Sequence, residues 1–450
     1  MWGDLLSPAV DMAKKADVQY MCFDHLAELT MSLLYRMKLR DPKRGYIPDE
    51  TPFKRALLPI TKPKGIKIIS NGGGANPEVA GEAIVNVAKE LGLIGLKVGV
   101  VVGDDLSGRI DELRAKGIKF PNLDTGEEDI DSIKEKMAGA YAYIGAERII
   151  DALREGADVV IGGRFSDNAL FVGPWMYEFG WDYKEPYINK VGAAVTCGHL
   201  AECSRSCTGG FGCSLWKEVP EPWHVGNPIV EMDENGDAVI TKTPDTGGLV
   251  NTWTIKGHLV YEVHDPNNYL MPDGIADFTT PHLEDVGKDR VKITNMTGKP
   301  RPDKLKVGIG YADGWKQEIQ QWFCWPDALE KAKHSEYILR EWVKHQEEIN
   351  KPEDMQVDYM GFNMLHGSTV SVPESAPDLP EVGIRVCAKF KTRGGAANFR
   401  RESLHWTGFA SGFCFNTTTA PAMPAEVIAL WPTLVPREEV PTKLIMMEVK

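Results

Sequence analysis

The sequence predicts an α/β fold: an N-terminal parallel-sheet core of doubly wound character, a β-rich middle region and a small C-terminal α+β domain. Three observations predict it. Val/Ile-rich runs alternate with helical patterns as far as residue 163, which is how strands buried on both faces of a parallel sheet read. From about residue 230 the runs shorten and are separated by Gly, Pro and Asn turns, as in antiparallel β structure. After the polar stretch NKPED at 350–354, one long apolar strand with a helix behind it stands alone. The expected units are therefore 1–349, with a β-rich subdomain at about 230–325, and 350–450.

Each element follows from its own signal. Residues 18–24 (VQYMCFD) read as a buried strand, and Leu26, Leu29, Leu33 and Met37 place one apolar face on the helix after it. The segment 38–64, rich in Pro, Lys and Arg, reads as polar connection. Ile66–Ser70 is a strand, NGGGANP a turn, and Pro77–Leu91 a helix with proline in its first turn. Strands at 97–103 and 158–163 alternate with helices at 107–116 and 147–155, the last closed by Gly156. Further on, 238–242, 249–254, 258–265, 290–294 and 304–311 read as short strands. A helix is expected from Pro326-Asp327, capped by Asp327 with Glu330, to about Ile349, then a strand at 381–390 and another helix.

Composition removes whole classes of function. With 43% hydrophobic and 26% charged residues the chain is of ordinary globular make-up. It has no apolar run of about 18 residues and no basic-then-apolar leader. A net charge of −13 with both signs interspersed disfavours nucleic acid and anionic membrane as partners. Eight cysteines in 450 residues do not make a disulfide scaffold, so the expected compartment is the reducing cytoplasm.

In open α/β sheets, ligands bind where strands end at their carboxyl side. Here those ends carry Asp24-His25, then Asn71 with Gly72, Gly73 and Gly74, then Asp104-Asp105, then Arg164 with Ser166, Asp167 and Asn168. Exposed backbone N–H groups before a helix would suit a phosphate or carboxylate, and Arg164 could clamp a carboxylate with two hydrogen bonds. Asp104 or Asp105 could hold Mg²⁺ or position a base. A second glycine pair, Thr246-Gly247-Gly248, is either an anion nest or a hairpin turn. Any one of these has a plain structural explanation. Together on one rim they predict a pocket.

The stretch TCGHLAECSRSCTGGFGC at 196–213 concentrates Cys197, Cys203, Cys207 and Cys213. Spacings of x5, x3 and x5 match neither zinc nor iron–sulfur patterns, so no metal is expected and packed thiols explain Cys197 and Cys213. His199, Glu202 and Cys203 differ. At three and four residues apart they share a helix face, and an imidazole beside a carboxylate is an acid–base unit that can also activate a thiol. With Asp24 these are the expected catalytic residues; Thr208, Gly209 and Gly210 would bring backbone donors to the substrate. His264-Asp265 is a second acid–base candidate, although Asp265-Pro266 also makes a good turn.

Many of these motifs in order resemble the acyclic terpene utilisation family, AtuA: WGD (2–4), FDHLAELTMSLL (23–34), RDPKRGY (40–46), NGGGANP (71–77), VVGDDL (101–106) and YIGAERIIDALREGADVVIGGR (143–164). FVGPWMYEFGW (171–181), GHLAEC (198–203) with TGG (208–210), TGGLV (246–250), YEVHDPNNYL (261–270) and RPDKLKVGIGYADGW (301–315) continue it. The resemblance implies an α/β core of about this size and a small ferredoxin-like partner, fused in longer members. It names a relative more than an activity. Members usually have a further strand before WGD, whereas this sequence starts there. Their pattern keeps His199, Glu202, Cys203, Thr208, Gly209 and Gly210 but not Cys197, Cys207 or Cys213.

The expected function is a lyase or hydratase acting on a small carboxylated or CoA-linked substrate, with His199 and Glu202 as acid–base pair. No redox cofactor is expected, and CoA would enter only as part of the substrate. Two alternatives stand beside it: a non-catalytic binding or scaffold subunit, and an NAD-dependent oxidoreductase. Expected partners are a second copy of the chain and the ferredoxin-like subunit, with neither nucleic acid nor membrane.

Overall fold

The Val/Ile runs form the central sheet of a computed structural model that describes residues 2–369, 379–410, 414–416 and 423–450. Strands β1 (Tyr20–Phe23), β2 (Lys67–Ser70), β3 (Lys97–Val102) and β4 (Val159–Gly162) lie in the order β1-β2-β4-β3, all parallel. Lys443–Glu448 closes the β3 side antiparallel, pairing Lys443 with Val102. This leaves β1 at the other edge. Ile68, Val98, Val100, Val159 and Ile161 are fully buried against Leu57 and Ile84 from helices Glu50–Lys64 and Pro77–Glu90. Each such side chain contributes about 1.5–3 kcal/mol on leaving water.

The protein is a mixed α/β structure with parallel and antiparallel sheets. Strand β5 (Pro228–Met232) is the edge of a four-stranded antiparallel sheet that also holds Ala238–Lys242, Arg290–Thr294 and His282–Gly287. The chain divides into two compact units, Met1–Gly310 with Leu430–Lys450, and Tyr311–Ala429. The boundary expected at 350 is therefore corrected. One 21-residue strand, β6 (Lys304–Cys324), contains the actual division, and the helix Ala328–Lys344 belongs with the strands after it. In the second unit β6, β7 (Asp354–Met360), β8 (Glu381–Phe390) and β9 (Cys414–Asn416) lie in the order β7-β8-β6-β9. Helices Ala328–Lys344 and Arg393–Ala410 follow β6 and β8. That βαββαβ sequence with this strand order is the ferredoxin-like arrangement.

Three local expectations are overturned. Residues 50–64 form a helix through Pro59 and Pro63, because Phe53, Leu57, Leu58 and Thr61 bury one face; Glu50 and Lys54 sit on that same face and hide the apolar pattern. Helix Glu28–Arg40 buries Met31, Leu34 and Tyr35 and turns Leu29 and Leu33 outward. Residues 249–254 and 258–265 are not strands. Asn251 accepts hydrogen bonds from the Trp253 and Thr254 N–H groups and caps a helix at Thr252–Leu259.

Candidate active site

The carboxyl ends of β1 and β4 meet the last turn of helix Ile188–Glu202. Asp24, Asp167 and Glu202 place carboxylate oxygens within 4.8 Å of one another. Asn71, at the end of β2, donates from Nδ2 to Asp24 Oδ1 at 2.5 Å and accepts the His25 N–H on Oδ1 at 2.8 Å. The Arg164 guanidinium, completely buried, donates from Nη1 to Asp167 Oδ1 at 2.5 Å and to the Phe165 carbonyl at 2.8 Å. It also lies 4.2 Å from the centre of the Tyr143 ring, a favourable cation–π position. Arg164 Nε and Ser166 Oγ are buried without a hydrogen-bond partner.

Crowding these half-buried acids together controls the protonation of Asp24 and Glu202. Burial, then the Asp167 charge, pushes the Asp24 carboxyl up to about 7. Burial, then the charges of Asp167 and Asp24, holds Glu202 well above the usual carboxylate range. Arg164 stays cationic: burial opposes its charge, but Asp167, Tyr143 and Asp24 together more than offset this. The cluster sets the Arg164–Asp167 ion pair beside two carboxyls, Asp24 and Glu202, that are held above the usual carboxylate range, a source of transferable protons. The same three carboxylates are the group among the described residues whose oxygens could hold a hard cation such as Mg²⁺.

Asp24 and Glu202 line a cleft of about 690 Å³, a volume usual for small-molecule sites. It runs along the free edge of β1, with β5 and helix Ala169–Phe179 also lining it. Phe23, Phe53 and Trp175 give it apolar walls. The charges on its lining are mostly acidic: Asp4, Asp17, Glu178 and Glu231 join Asp24 and Glu202, against Arg205.

Other expected site residues have different surroundings. His199 is buried, and its Nε2–H donates to the His258 carbonyl at 3.0 Å while His258 Nε2–H returns the bond to the His199 carbonyl. The two rings stack at 5.2 Å. Burial, then His258, brings the His199 pKa down to about 3. Its Nδ1 does lie 3.8 Å from Glu202 Oε1, beyond hydrogen-bond distance. A neutral ring committed to a backbone carbonyl does not form the expected acid–base unit. Cys203, capping the helix, has its thiol pushed far up by burial and by Glu202, so it is not an activated nucleophile. Cys197 and Cys207 are completely buried, and no cysteine belongs to a potential metal-ligand group among the described residues.

The glycine loops are packing devices rather than anion cradles. The N–H groups of Gly72, Gly74, Ala75 and Asn76 go to Ser70 Oγ and to the carbonyls of Asn71, Gly45 and Gly73. A Cβ on Gly72 would strike the Glu50 carboxylate, and one on Gly73 the Gly162 carbonyl. The expected donors Gly209 and Gly210 are spent on the Ser206 and Arg205 carbonyls, and Gly247 and Gly248 on those of His224 and Pro220. Thr208 and Thr246 bond the Gly226 and Thr243 carbonyls. These loops pack on one another, Gly209 against Leu249 and Gly248 against Thr208. Asp104 accepts the Arg164 N–H at 2.7 Å and braces two strand ends. Asp105 is exposed and holds the Ser107 N–H. Asp265 forms an exposed turn with Asn267 and Asn268, with His264 exposed beside it.

One buried group escaped the sequence reading. Glu50 and Lys54 form a completely buried ion pair at 2.5 Å; Ser70 Oγ donates to Glu50, and His25 Nε2 lies 3.2 Å from Glu50 Oε1. The i, i+4 spacing of Glu50 and Lys54 was the available signal, masked by the prolines around it.

With the geometry in place, the comparison that identifies the chain is the family model for the acyclic terpene utilisation family protein AtuA, which matches residues 1–446. The chain belongs to the AtuA family. No curated protein and no solved structure matches it. Membership agrees with the motif order, and two AtuA-like motifs end at the cleft: FDH at 23–25 and the helix end GHLAEC.

Proposed function

We propose that this AtuA-family chain is an enzyme of lyase or hydratase type, adding or removing water on a small carboxylated or CoA-linked substrate. The observation that carries the reading is the convergence of Asp24, Asp167 and Glu202 beside Arg164 at strand ends. It replaces the His199–Glu202 pair as the proton-transfer centre: Glu202, sharing its surroundings with Asp24, is the acid that protonates the departing hydroxyl. Arg164 pairs with Asp167 instead of clamping substrate. The acidic lining favours a neutral thioester carbonyl at the reacting end over a free carboxylate, so the CoA-linked form fits better. We propose further that the enzyme works in the cytoplasm as a homo-oligomer. The ferredoxin-like unit at 311–429 lies within this chain, which supports an internal unit in place of a recruited one.

A thermal-shift screen with CoA thioesters, dicarboxylates and NAD(H) tests the substrate class. Stabilisation by a thioester, retained in EDTA and lost in Glu202→Gln, is expected. Stabilisation by NAD(H) alone would reverse the reading. Restoration of the thioester shift only by added Mg²⁺ would assign the carboxylates to a cation instead of to proton transfer. No helix in the described residues is long and apolar enough to cross a membrane.

A further inference from the structure

An edge strand leaves every second N–H and C=O without a neighbour, and proteins usually blunt such an edge with charge, proline or a bulge. The first sheet ends at Lys443–Glu448, which pairs with β3 and with no other strand among the described residues. Its sequence, KLIMME, sets four apolar residues between one base and one acid. None of the usual blunting devices interrupts them, and Leu444, Ile445, Met446 and Met447 are only half-buried. Leu444 and Met446 lie over Gly99 beside Ala152 of helix Glu147–Arg154, and Met447 lies over Gly81 of helix Pro77–Glu90. Backbone direction follows from the strand's last bonds. Val449 donates to the Leu96 carbonyl and accepts the Gly95 N–H, so it faces inward. Alternation then turns Ile445 and Met447 toward β3, and Leu444, Met446 and Glu448 outward.

We propose that this edge is the contact between two copies of the chain, the strands Lys443–Glu448 pairing antiparallel so that one sheet runs through both. Outward residues pair only with outward residues, so the two-fold axis falls on a residue. Centred on Met446, it pairs all three outward residues among themselves, with Leu444 opposite the second copy's Glu448. Charge supports this register. Helix Glu147–Arg154 precedes β4, which is parallel to β3, and ends where Lys97 Nζ reaches the Glu155 carbonyl. Lys97 is level with Glu448, so Arg148 stands at the other end, beside Lys443 and Leu444. These three residues line a groove of about 870 Å³. Arg148 shares Asp151 with Arg154, and its Nε is buried without a hydrogen-bond partner. Glu448 is exposed; arriving from the second copy, it supplies the acceptor, and symmetry makes the pair twice. The cleft lies along β1 at the opposite edge of the sheet, so the contact leaves it open. This surface deepens the homo-oligomer reading and rests on it, but not on the reaction.

Sedimentation velocity of the full chain at micromolar concentration is expected to give the mass of two chains. In protein labelled with ¹⁵N-leucine, isoleucine and methionine, the Leu444 and Met446 N–H groups are expected to exchange as slowly as those of Ile445 and Met447. Met446→Pro removes only an outward N–H, a change that an edge strand tolerates. It is expected to give single chains in which the Leu444 N–H exchanges fast while Ile445 and Met447 stay protected by β3. Glu448→Arg is expected to raise the dimer Kd about tenfold or more, and Arg148→Glu added to it to restore tight pairing. A parent with the mass of one chain overturns this surface and the homo-oligomer together. A dimer that persists in Met446→Pro, or whose Leu444 and Met446 N–H groups exchange fast, overturns the surface and leaves the homo-oligomer standing. Should Met446→Pro fail to fold, an unchanged Kd in Glu448→Arg overturns it instead.

Discussion

The two polar groups at the end of helix Ile188–Glu202, one buried and one half-buried, have opposite characters. His199 and His258 exchange hydrogen bonds with one another's carbonyls, both rings are neutral, and the arrangement is complete without a ligand. One turn on, Glu202 meets Asp24 and Asp167, and burial with the neighbouring negative charges raises Asp24 and Glu202. The first group stabilises; the second stores unfavourable energy that a proton or a ligand relieves. A histidine next to a glutamate in sequence is therefore a weaker pointer to chemistry than a set of acids that the fold forces together.

The comparison breaks most visibly in kinetics. Glu202→Gln should lower kcat about 10²–10⁴-fold with no loss of stability, measured by steady-state rates beside a denaturation curve. His199→Ala should do the reverse. It removes a reciprocal hydrogen bond and opens a cavity, costing about 2–4 kcal/mol in urea unfolding, with per-molecule activity of the folded fraction retained. If His199→Ala folds normally and is inactive, the roles assigned to the two groups are exchanged.

Stability against pH sharpens the contrast. The folded protein keeps the Asp24 proton up to about 7, whereas the ordinary aspartate loses it near 3.8. The native state therefore binds more protons over that window, and stability falls as pH rises through it. Asp24→Asn should be more stable than the parent at pH 8 by up to a few kcal/mol, the gap closing by about pH 4. Equal melting curves at both pH values would remove Asp24 from the strained group.

Smaller effects follow at the margins. Gly72→Ala drives a methyl into the Glu50 carboxylate and should cost about 1–3 kcal/mol without touching the acids directly. Cys213→Ser, at a half-buried thiol in no described ligand group, should stay within about 0.5 kcal/mol. A metal analysis of the parent and of this variant would show any dependence on the thiol.

The sheet was legible because continuous Val/Ile runs between helical patterns have few other readings; β1 to β4 fall where those runs stand. Helix Glu50–Lys64 was not, since two prolines and a buried ion pair interrupt its apolar stripe. Asp24, Asp167 and Glu202 were each visible as residues worth attention, and Asp24 and Asp167 as strand-end residues. Their meeting was not, because it brings 24, 167 and 202 together through tertiary contacts alone. Local spacing found the i, i+3 pair of His199 and Glu202 correctly and misled about its use, since spacing says nothing of what His258 brings from 59 residues away.

The strand Lys443–Glu448 completes the first sheet by pairing with β3, although the whole second unit is synthesised between them. During translation, β3 leaves the ribosome with one edge bare and keeps it bare until some 340 further residues have emerged. The second unit, made of nearby strands and helices, is free to fold first. A nascent chain stalled before residue 443 should therefore carry a folded second unit, its strand Glu381–Phe390 protected from hydrogen exchange, and a first unit still open at β3, the stage at which a chaperone would find a strand to hold.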